Sequence, residues 1–377
     1  MRIYLDNAAT TALDPEVVDV ISGVLKEQFG NPSSSHAFGR DAKALIETSR
    51  RSIAKWFNCQ PSELIFTSGG TEADNMAMYT AVHHLGVKRI ITSQIEHHAV
   101  GHTADAIRSE LGVTIDFVRV DTKGNVDLSH LEELLSQNKP SLVSLMHANN
   151  EIGTLLPLQD VVRICKKHDA YFHSDTVQGI GHFAYDLKEL DADFLTCAAH
   201  KFHGPKGTGF LYVNRRLKVG PFIHGGAQER GQRGGTENVA GICGLAKAVD
   251  LAYAELVAHQ THIQGIKSYF IEQLTTSFSD ISFHGETSPE KSLYTVLNVS
   301  FPPFSGSGML LFTLDLKGVA ASGGSACSSG ATSPSHVLSG IQADINRPNV
   351  RFSFSKFTTR KEIDQVIEIL KGILTKN

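Results

Sequence analysis

Residues 194–207 read Phe-Leu-Thr-Cys-Ala-Ala-His-Lys-Phe-His-Gly-Pro-Lys-Gly, an apolar run that ends in one lysine and then in glycine. The run predicts a short buried strand over 194–199, with Lys201 directly after the strand end. A lysine that is desolvated there loses part of its preference for the charged form, and a neutral amine can condense with a carbonyl. The alternative is a lysine whose apolar stem covers the edge of the core while its amine stays in water.

A carboxylate ends a second apolar run of the same kind. Residues 170–178 read Ala-Tyr-Phe-His-Ser-Asp-Thr-Val-Gln, and Gly179 follows. Pyridoxal phosphate needs a lysine for its aldehyde carbon and an acid for its pyridine nitrogen, because the protonated ring stabilises a substrate carbanion. Asp175 and Lys201 fit these two tasks, although an aspartate at a strand end can equally cap the next helix.

The composition limits the classes of protein that this chain can be. A chain of 377 residues that is 41% hydrophobic can bury a large core, which predicts two domains or one large domain with a lobe. A net charge of -4 gives no broad positive field, so we expect no direct contact with nucleic acid. The first residues lack the apolar core of a signal peptide, and no apolar run approaches membrane-spanning length. We therefore expect a cytoplasmic protein that does not contact a membrane.

The cysteines indicate one reactive thiol. The chain has 5 cysteines, an odd number without CxxC spacing, so the sequence predicts neither a disulfide framework nor a zinc site of thiols. Cys165 and Cys243 lie in apolar helical patterns and are predicted to be inert core thiols. Cys327 lies instead in residues 322–330, Ser-Gly-Gly-Ser-Ala-Cys-Ser-Ser-Gly, which are too polar and too rich in glycine to pack. We expect this thiol to be exposed to solvent and to chemistry.

Strand and helix patterns alternate along most of the chain. Apolar residues at helical spacing predict helices over 15–28, 41–57 and 361–374. Strands are predicted over 64–67, 89–92, 114–120, 142–148, 171–175, 194–199, 208–213, 293–301 and 350–354. Strands that alternate with helices indicate a parallel or mostly parallel sheet covered on both faces, with ligands at the strand ends.

One glycine turn is suited to an anion. Residues 64–75 read Leu-Ile-Phe-Thr-Ser-Gly-Gly-Thr-Glu-Ala-Asp-Asn, which predicts a strand, a turn and the start of a helix. The N–H groups at that helix N-terminus, together with the Thr71 hydroxyl, make a site for a cofactor phosphate. The turn is not a Walker loop, because no Gly-Lys-Ser or Gly-Lys-Thr follows it.

Histidines follow the strand predicted over 89–92. His98 and His102 are four residues apart, the helical spacing of a metal pair, but no HExxH glutamate and no third ligand accompany them. We therefore expect no metal site. A histidine of this segment that lies flat on an aromatic ring, or moves a proton above it, is the better interpretation.

Short motifs then occur in a characteristic order along the chain. They are Tyr-Leu-Asp-Asn-Ala-Ala-Thr-Thr at 4–11, Gly-Asn-Pro-Ser-Ser at 30–34, Thr-Ser-Gly-Gly-Thr-Glu at 67–72, Glu-His at 96–97, Asn-Asn-Glu-Ile-Gly at 149–153, His-Lys at 200–201, Gly-Gly-Thr at 234–236, Gly-Ser-Ala-Cys at 324–327 and Val-Arg-Phe-Ser at 350–353. In these motifs the chain resembles the pyridoxal-phosphate-dependent cysteine desulfurases of the NifS/IscS type, in the class V aminotransferase group. The resemblance extends from residue 4 to about residue 360.

The resemblance implies the architecture. It implies an α/β protein of PLP-dependent transferase fold type I, with a mixed, mostly parallel seven-stranded sheet in a large domain and a smaller α+β domain. We place the large cofactor-binding domain at residues 13–260 and the small domain at residues 1–12 and 261–377. The small domain would carry Cys327 on a long, mobile loop.

The resemblance also assigns roles to residues. Lys201 would be the Schiff-base lysine, Asp175 would pair with the pyridine nitrogen, and His97 would stack on the ring and move protons. The remaining expected ligands of the cofactor are Gln178 and Asn150 at the ring oxygen, Gly70, Thr71 and His200 at the phosphate, and Thr236 at the phosphate of the neighbouring subunit. Arg351 would clamp the carboxylate of the substrate, with Asn150 beside it, because a guanidinium matches a carboxylate in geometry.

The implied reaction converts L-cysteine to L-alanine and leaves the sulfur on Cys327 as a persulfide. His97 is the expected acceptor of the Cys327 proton, since the thiolate is the reactive form. The implied partners are a second copy of the chain and a sulfur-acceptor protein that serves iron-sulfur clusters, thio-cofactors or tRNA thiolation. Three alternatives stay open, namely a selenocysteine lyase, an ordinary aminotransferase or lyase of the same fold, and a PLP-binding protein without activity.

Two departures from the family pattern are visible. Ala198 stands where the family usually has serine, which removes one hydroxyl from the expected phosphate site. Ser355 and Lys356 replace the usual Gly-Arg before Phe-Thr-Thr, and the sequence predicts no effect for this change.

Overall fold

The computed structural model describes residues 2–137, 139–304, 306–323 and 335–374. Cys327 lies outside the described residues, as do Met1, Asn138, Ser305 and the last three residues. The helices are α1 (Pro15–Glu27), α2 (Ala37–Trp56), α3 (Gly70–His84), α4 (His98–Leu111), α5 (Leu128–Leu135), α6 (Leu158–Lys167), α7 (Leu187–Leu190), α8 (Val239–Ala254), α9 (Leu256–Ser277), α10 (Leu310–Leu316), α11 (His336–Gly340) and α12 (Arg360–Leu374). Within the described ranges, no helix is both long and apolar enough to span a membrane.

The strands form a large sheet and two small ones. They are β1 (Ile3–Tyr4), β2 (Leu64–Thr67), β3 (Arg89–Thr92), β4 (Thr114–Phe117), β5 (Ser141–Ser144), β6 (Tyr171–Asp175), β7 (Phe194–Ala198), β8 (Gly209–Val213), β9 (Ser282–His284), β10 (Val296–Ser300), β11 (Val319–Ala320) and β12 (Asn349–Ser353). In the part of the chain that is described, the large sheet has seven strands in the order β2-β8-β7-β6-β5-β3-β4. The strand β8 runs antiparallel to both of its neighbours, and the pairs from β7 to β4 are parallel. This confirms the predicted mixed, mostly parallel sheet of an α/β fold.

Helices cover both faces of this sheet, which explains why the side chains of its inner strands are buried along almost the whole strand. Successive side chains of a strand point to opposite faces. On β7, Phe194 packs into a cluster with Met76 of α3, whereas Leu195 packs into the cluster that contains Ile53 of α2 and Leu245 of α8. The edge strand β4 is more exposed and carries Asp116 among its four residues. The large sheet is therefore packed on both of its faces.

A second apolar core lies around the antiparallel sheet β12-β10-β9 and the helices α9, α10 and α12. Phe352 of β12 packs at its centre, with its ring 5.0 Å from that of Phe270 of α9. The side chain of Lys267 is buried on the same helix, where its Nζ donates to Ser292 Oγ and to the Leu293 carbonyl, both at 2.9 Å. Two separate apolar clusters are what a two-domain chain would show, and the division near residue 260 stays a prediction.

Several element boundaries differ from those predicted. The helix predicted to start at residue 41 begins at Ala37, because the His36 side chain accepts the Gly39 N–H at 3.4 Å and caps the helix. The strand predicted over 114–120 ends at Phe117, and Val120 forms an isolated bridge with Val126. The strand predicted over 142–148 ends at Ser144. Residues 145–148 after β5 stay buried, which keeps the apolar pattern of the strand, whereas after β4 Val118 is buried and Arg119 is exposed.

Candidate active site

A cavity of about 250 Å³ opens at the end of the large sheet. Its lining includes most of the residues predicted for the site, namely Gly70, Thr71, His97, Asn150, Asp175, Gln178, His200, Lys201 and Arg351. These residues come from loops and element ends spread over 282 positions of the chain, from residue 70 to residue 351. Among the described residues, the fold thus brings the predicted catalytic, cofactor and substrate residues other than Thr236 to one place.

Lys201 reaches the cavity from the turn that follows β7. The strand is fully buried and passes into a short 3₁₀ turn, Ala199–Lys201, which directs the chain away from the sheet. The Lys201 Nζ donates hydrogen bonds to the carbonyl oxygens of Ala8 at 2.6 Å and Ala9 at 2.9 Å. Both carbonyl acceptors come from the N-terminal segment, and they orient the amine.

Asp175 is the last residue of the neighbouring strand β6, and its side chain is buried. Its Oδ1 accepts the Val177 N–H at 2.9 Å. Burial raises the pKa of Asp175, and the nearby Asp74 carboxylate raises it further, while His97 opposes the rise. Register pairs Asp175 with Thr196 of β7, five residues before Lys201. The acid and the lysine therefore lie at the ends of adjacent strands.

The turn before α3 forms an anion cradle. Gly69 caps the helix at φ 147°, a backbone conformation that favours glycine, and the first N–H groups of a helix have no partner within it. A Cβ on Gly70 would lie 2.7 Å from Val177 Cγ2, so the backbone can approach a ligand there only without a side chain. Thr71 and His200 line the same cavity as Gly70. Burial, with help from Lys201, lowers the pKa of His200 to about 4, so its ring is neutral at physiological pH and can donate one N–H.

His97 and two amides complete the wall of the cavity. His97 caps α4 by accepting the Ala99 N–H on Nδ1 at 3.1 Å. Burial lowers the pKa of His97, which leaves it able to accept a proton at neutral pH. Gln178 donates to the Ala8 carbonyl at 2.9 Å. The Asn150 Oδ1 is buried without a hydrogen-bond partner among the described residues, so a ligand that donates there would satisfy it.

Arg351 enters from β12 in the second core. Its side chain is 1% exposed. Nη2 donates to Asp6 Oδ1 and Nη1 donates to the Asn150 carbonyl, both at 2.9 Å. Its Nε is buried without a partner in the described part of the chain. A guanidinium has five N–H donors, so Arg351 keeps N–H groups that can donate to the carboxylate of a bound substrate.

Two predicted residues lie elsewhere. Thr236 does not line this cavity and lies in a separate one of about 170 Å³, with Thr67, Ser68 and Arg233. Cys327 lies outside the described residues. The prediction of inert core thiols is confirmed, because Cys165 and Cys243 are buried and burial raises the pKa of both.

Sequence reasoning missed three contributors to the site. Asp74 of α3 lines the cavity although it reads as an ordinary polar residue of a helix. Ala8 and Ala9 act through their backbone carbonyls, and a carbonyl leaves no signal in the side-chain pattern. The N-terminal motif at 4–11 could have indicated this role, since a segment with so little apolar character needs a reason to be buried.

The remaining predictions concern neighbours of the cavity. His98 and His102 lie with ring centroids 4.7 Å apart, and His98 also lies 4.4 Å from His336. Among the described residues, no group of three or more potential ligands could hold a metal ion. Lys356, which replaces the usual arginine, forms an ion pair of 2.6 Å with Asp14 and keeps a positive charge there.

Comparisons with known proteins agree with the resemblance in the motifs. The family model of the class-V aminotransferases matches residues 3–366. The cysteine desulfurase IscS of Dictyoglomus turgidum is 44% identical over 379 aligned residues, which cover 100% of this chain and 95% of the relative. A solved NifS-like protein is 36% identical, with a TM-score of 0.91 and coverage of 100% of both chains. The structure of SspA in complex with cysteine is 30% identical, with a TM-score of 0.79 over 95% of this chain and 100% of that one.

Proposed function

Because this chain belongs to the class-V aminotransferase family and aligns over its full length with a cysteine desulfurase, we propose that it converts L-cysteine to L-alanine and captures the sulfur on a thiol. One observation carries the proposal. Lys201, Asp175, His97 and Arg351 line a single cavity of about 250 Å³, which is the set that the reaction needs in one place.

The family depends on pyridoxal phosphate, and the residues of the cavity fit that group. Asp175 would face the ring nitrogen, and the N-terminus of α3 would hold the phosphate together with Thr71 and His200. The buried Asn150 Oδ1 lacks a partner within the described ranges and would gain one at the ring oxygen side. When bound, the cofactor supplies a carbonyl for the substrate amine and a sink for electrons.

The residues of the chain would bind the substrate and move protons. Arg351 would take the substrate carboxylate on the donors that Asp6 and Asn150 leave open, which fixes the α carbon relative to Lys201. The Lys201 amine, held by two carbonyl oxygens, would exchange protons with that carbon. His97, neutral at physiological pH, would accept the proton of the attacking thiol.

Cys327 would receive the sulfur. Its thiolate attacks the sulfur of L-cysteine, so that a sulfur–sulfur bond forms while the carbon–sulfur bond of the substrate breaks. The carbon keeps the electron pair of that bond and takes up a proton, which yields L-alanine and a persulfide on Cys327. A persulfide must then pass its outer sulfur to an acceptor, so we also propose a sulfur-acceptor protein as partner.

We propose a homodimer as the active form. The resemblance gives Thr236 a role at the phosphate of a second subunit, and Thr236 lies outside the cavity of its own subunit. A cytoplasmic location stays a prediction.

The test combines a spectrum with product analysis. Purified protein should show the yellow band of bound cofactor, and with L-cysteine and a thiol reductant it should form alanine and sulfide in equal amounts. Cys327→Ala should keep the band and lose sulfide formation. Cys59→Ala is the matched control, because Cys59 is half-buried and burial raises the pKa of its thiol to about 12.

Three results would contradict the proposal. A protein that binds no pyridoxal phosphate would leave the cavity without its cofactor and remove the desulfurase assignment. A Cys327→Ala variant that forms alanine at the wild-type rate would indicate a selenocysteine lyase of the same fold, which the rate with selenocysteine would test. Formation of an α-keto acid in place of alanine would indicate an aminotransferase.

A further inference from the structure

A second carboxylate lies beside Asp175 in the cavity. Asp74 is one turn into α3, its side chain is 1% exposed, and it lines the cavity together with Asp175. Its Oδ1 is buried without a hydrogen-bond partner in the described part of the chain. The His173 Nε2 lies 3.4 Å from it. A buried carboxylate normally has donors that stabilise its charge, and this one has few.

His173 does not supply the missing positive charge. It lies two residues before Asp175 on β6 and is fully buried. Its Nδ1 is 2.8 Å from Ser144 Oγ, and its Nε2 is 3.1 Å from Thr196 Oγ1. Burial lowers the pKa of His173 to about 4, so the ring is neutral at physiological pH. Two hydroxyl partners suit a neutral ring, so His173 adds no positive charge beside Asp74.

Asp175 is better placed to be an anion. It accepts the Val177 N–H at 2.9 Å, and His97 favours its charged form. The titratable or charged groups around the two carboxylates are Glu96, His97, His173 and Lys201. Glu96 is itself buried and receives the Ser93 hydroxyl and the Met146 N–H, so it adds no positive charge. Two neighbouring carboxylates in such a site cannot both ionise without a large cost.

We propose that Asp74 is a positioning residue that keeps its proton at neutral pH, so that Asp175 is the ionised carboxylate that meets the ring nitrogen of the cofactor. The function of this pair rests on the proposed use of pyridoxal phosphate, whereas the location of the proton is a property of the chain itself. If Asp74 were ionised, its charge would draw a proton onto Asp175 and weaken the pairing of Asp175 with a protonated ring.

Difference infrared spectroscopy of the full chain tests this inference. A protonated carboxylic acid has a carbonyl stretch that a carboxylate lacks. Burial also raises the pKa of Glu96 to about 8, so all spectra are recorded in a Glu96→Gln background. In this background, protein with both aspartates and without cofactor should show the band at pH 7 and lose it on titration with a midpoint near pH 8, where burial places the pKa of Asp74. Asp74→Asn should lack the band. Asp175→Asn should keep it and shift the midpoint down by about one pH unit, because a like charge has been removed.

Each result bears on the inference in one direction. A band that survives Asp74→Asn and disappears in Asp175→Asn would place the proton on Asp175 and overturn the assignment, as would the absence of the band at pH 7 from the Glu96→Gln protein that keeps both aspartates. If Asp74→Asn did not fold, the Glu96→Gln protein with and without Asp175→Asn would still decide by the sign of the shift in midpoint.

The affinity for pyridoxal phosphate provides a second readout. Asparagine resembles a protonated aspartate in shape and charge, so Asp74→Asn should bind the cofactor as tightly as wild type at pH 7 and should differ from it only above pH 8, where Asp74 ionises. A difference at pH 7 would contradict a protonated Asp74. A protein that shows the infrared band but binds no cofactor would refute the proposed function and leave the proton on Asp74.

Discussion

Replacing Arg351 should separate substrate binding from structure. Arg351 uses Nη1 and Nη2 for single bonds to the Asn150 carbonyl and Asp6, and its Nε has no partner in the described part of the chain. The open donors allow two charge-assisted hydrogen bonds to a substrate carboxylate, each of which stabilises the complex by about 1.5–3 kcal/mol. Arg351→Ala should therefore cost about 3–4 kcal/mol of substrate binding, or about 10²- to 10³-fold in kcat/KM.

The loss should fall mainly on KM. The carboxylate of L-cysteine does not change during the reaction, so the enzyme binds it equally in the ground state and the transition state. Arg351→Lys keeps the charge and loses the planar fork, so we expect it to lie between wild type and Arg351→Ala. The assay is the initial rate of alanine formation as a function of L-cysteine concentration.

Two controls isolate the carboxylate. Cysteamine lacks this group, so wild type and Arg351→Ala should use it at similar rates. Asp6→Asn breaks the same ion pair but keeps the guanidinium, so the loss of thermal stability that it shows measures the structural part of the effect. If Arg351→Ala left the KM for L-cysteine unchanged and lost only stability, the assignment of Arg351 to the substrate would be wrong.

Of three further predictions, two concern lysines and the third concerns a departure from the family pattern. Lys201→Ala should lose the cofactor on desalting and should lose all desulfurase activity, whereas Lys206→Ala should keep both. A covalently bound cofactor retained in Lys201→Ala, seen by absorption, would contradict the role of Lys201 as the Schiff-base lysine. Burial lowers the pKa of Lys267 from 10.5 to about 7, so between these values the unfolded chain binds a proton that the folded chain does not, and stability should rise with pH. Lys267→Met should abolish this rise, which amounts to about 4 kcal/mol, in urea unfolding at pH 7 and pH 10; an equal pH dependence in both proteins would refute it. Ala198→Ser should restore a hydroxyl near Gly70 and tighten the binding of pyridoxal phosphate by about tenfold in a titration of the apoprotein, and weaker binding would show that the pocket has adapted to alanine.

The sequence predicted the sheet well for a physical reason. Strands covered on both faces need unbroken apolar runs, and the sequence shows such runs in most of the strands from 64–67 to 208–213. The start of α2 was placed four residues late because a histidine caps it, and histidine is not a usual capping residue. The predicted end of β5 is too late because the buried residues 145–148 keep a mostly apolar composition after the strand hydrogen bonds stop. The predicted end of β4 is too late because Val118 and Val120 continue the alternating pattern beyond the strand.

The candidate site was predictable where side chains carry the chemistry. Lys201 and Asp175 stand at the ends of apolar runs, and this position marks them. Asp74 could not be recognised, because a polar residue in the first turns of a helix is ordinary and its burial depends on the packing of α3 against the sheet. The contacts of Lys201 with Ala8 and Ala9 join residues more than 190 positions apart and involve only backbone oxygens.

The N-terminal segment also bears on how the enzyme matures in the cell. Asn7 donates to the Ser353 carbonyl and the Ala8 N–H to Ser353 Oγ, both at 2.8 Å, and Ala8 in turn holds Lys201. This segment therefore reaches its final place only after a strand that is translated about 345 residues later has been made. We expect the nascent chain to bind its cofactor only once that strand has left the ribosome, so the supply of pyridoxal phosphate matters late in synthesis or after it.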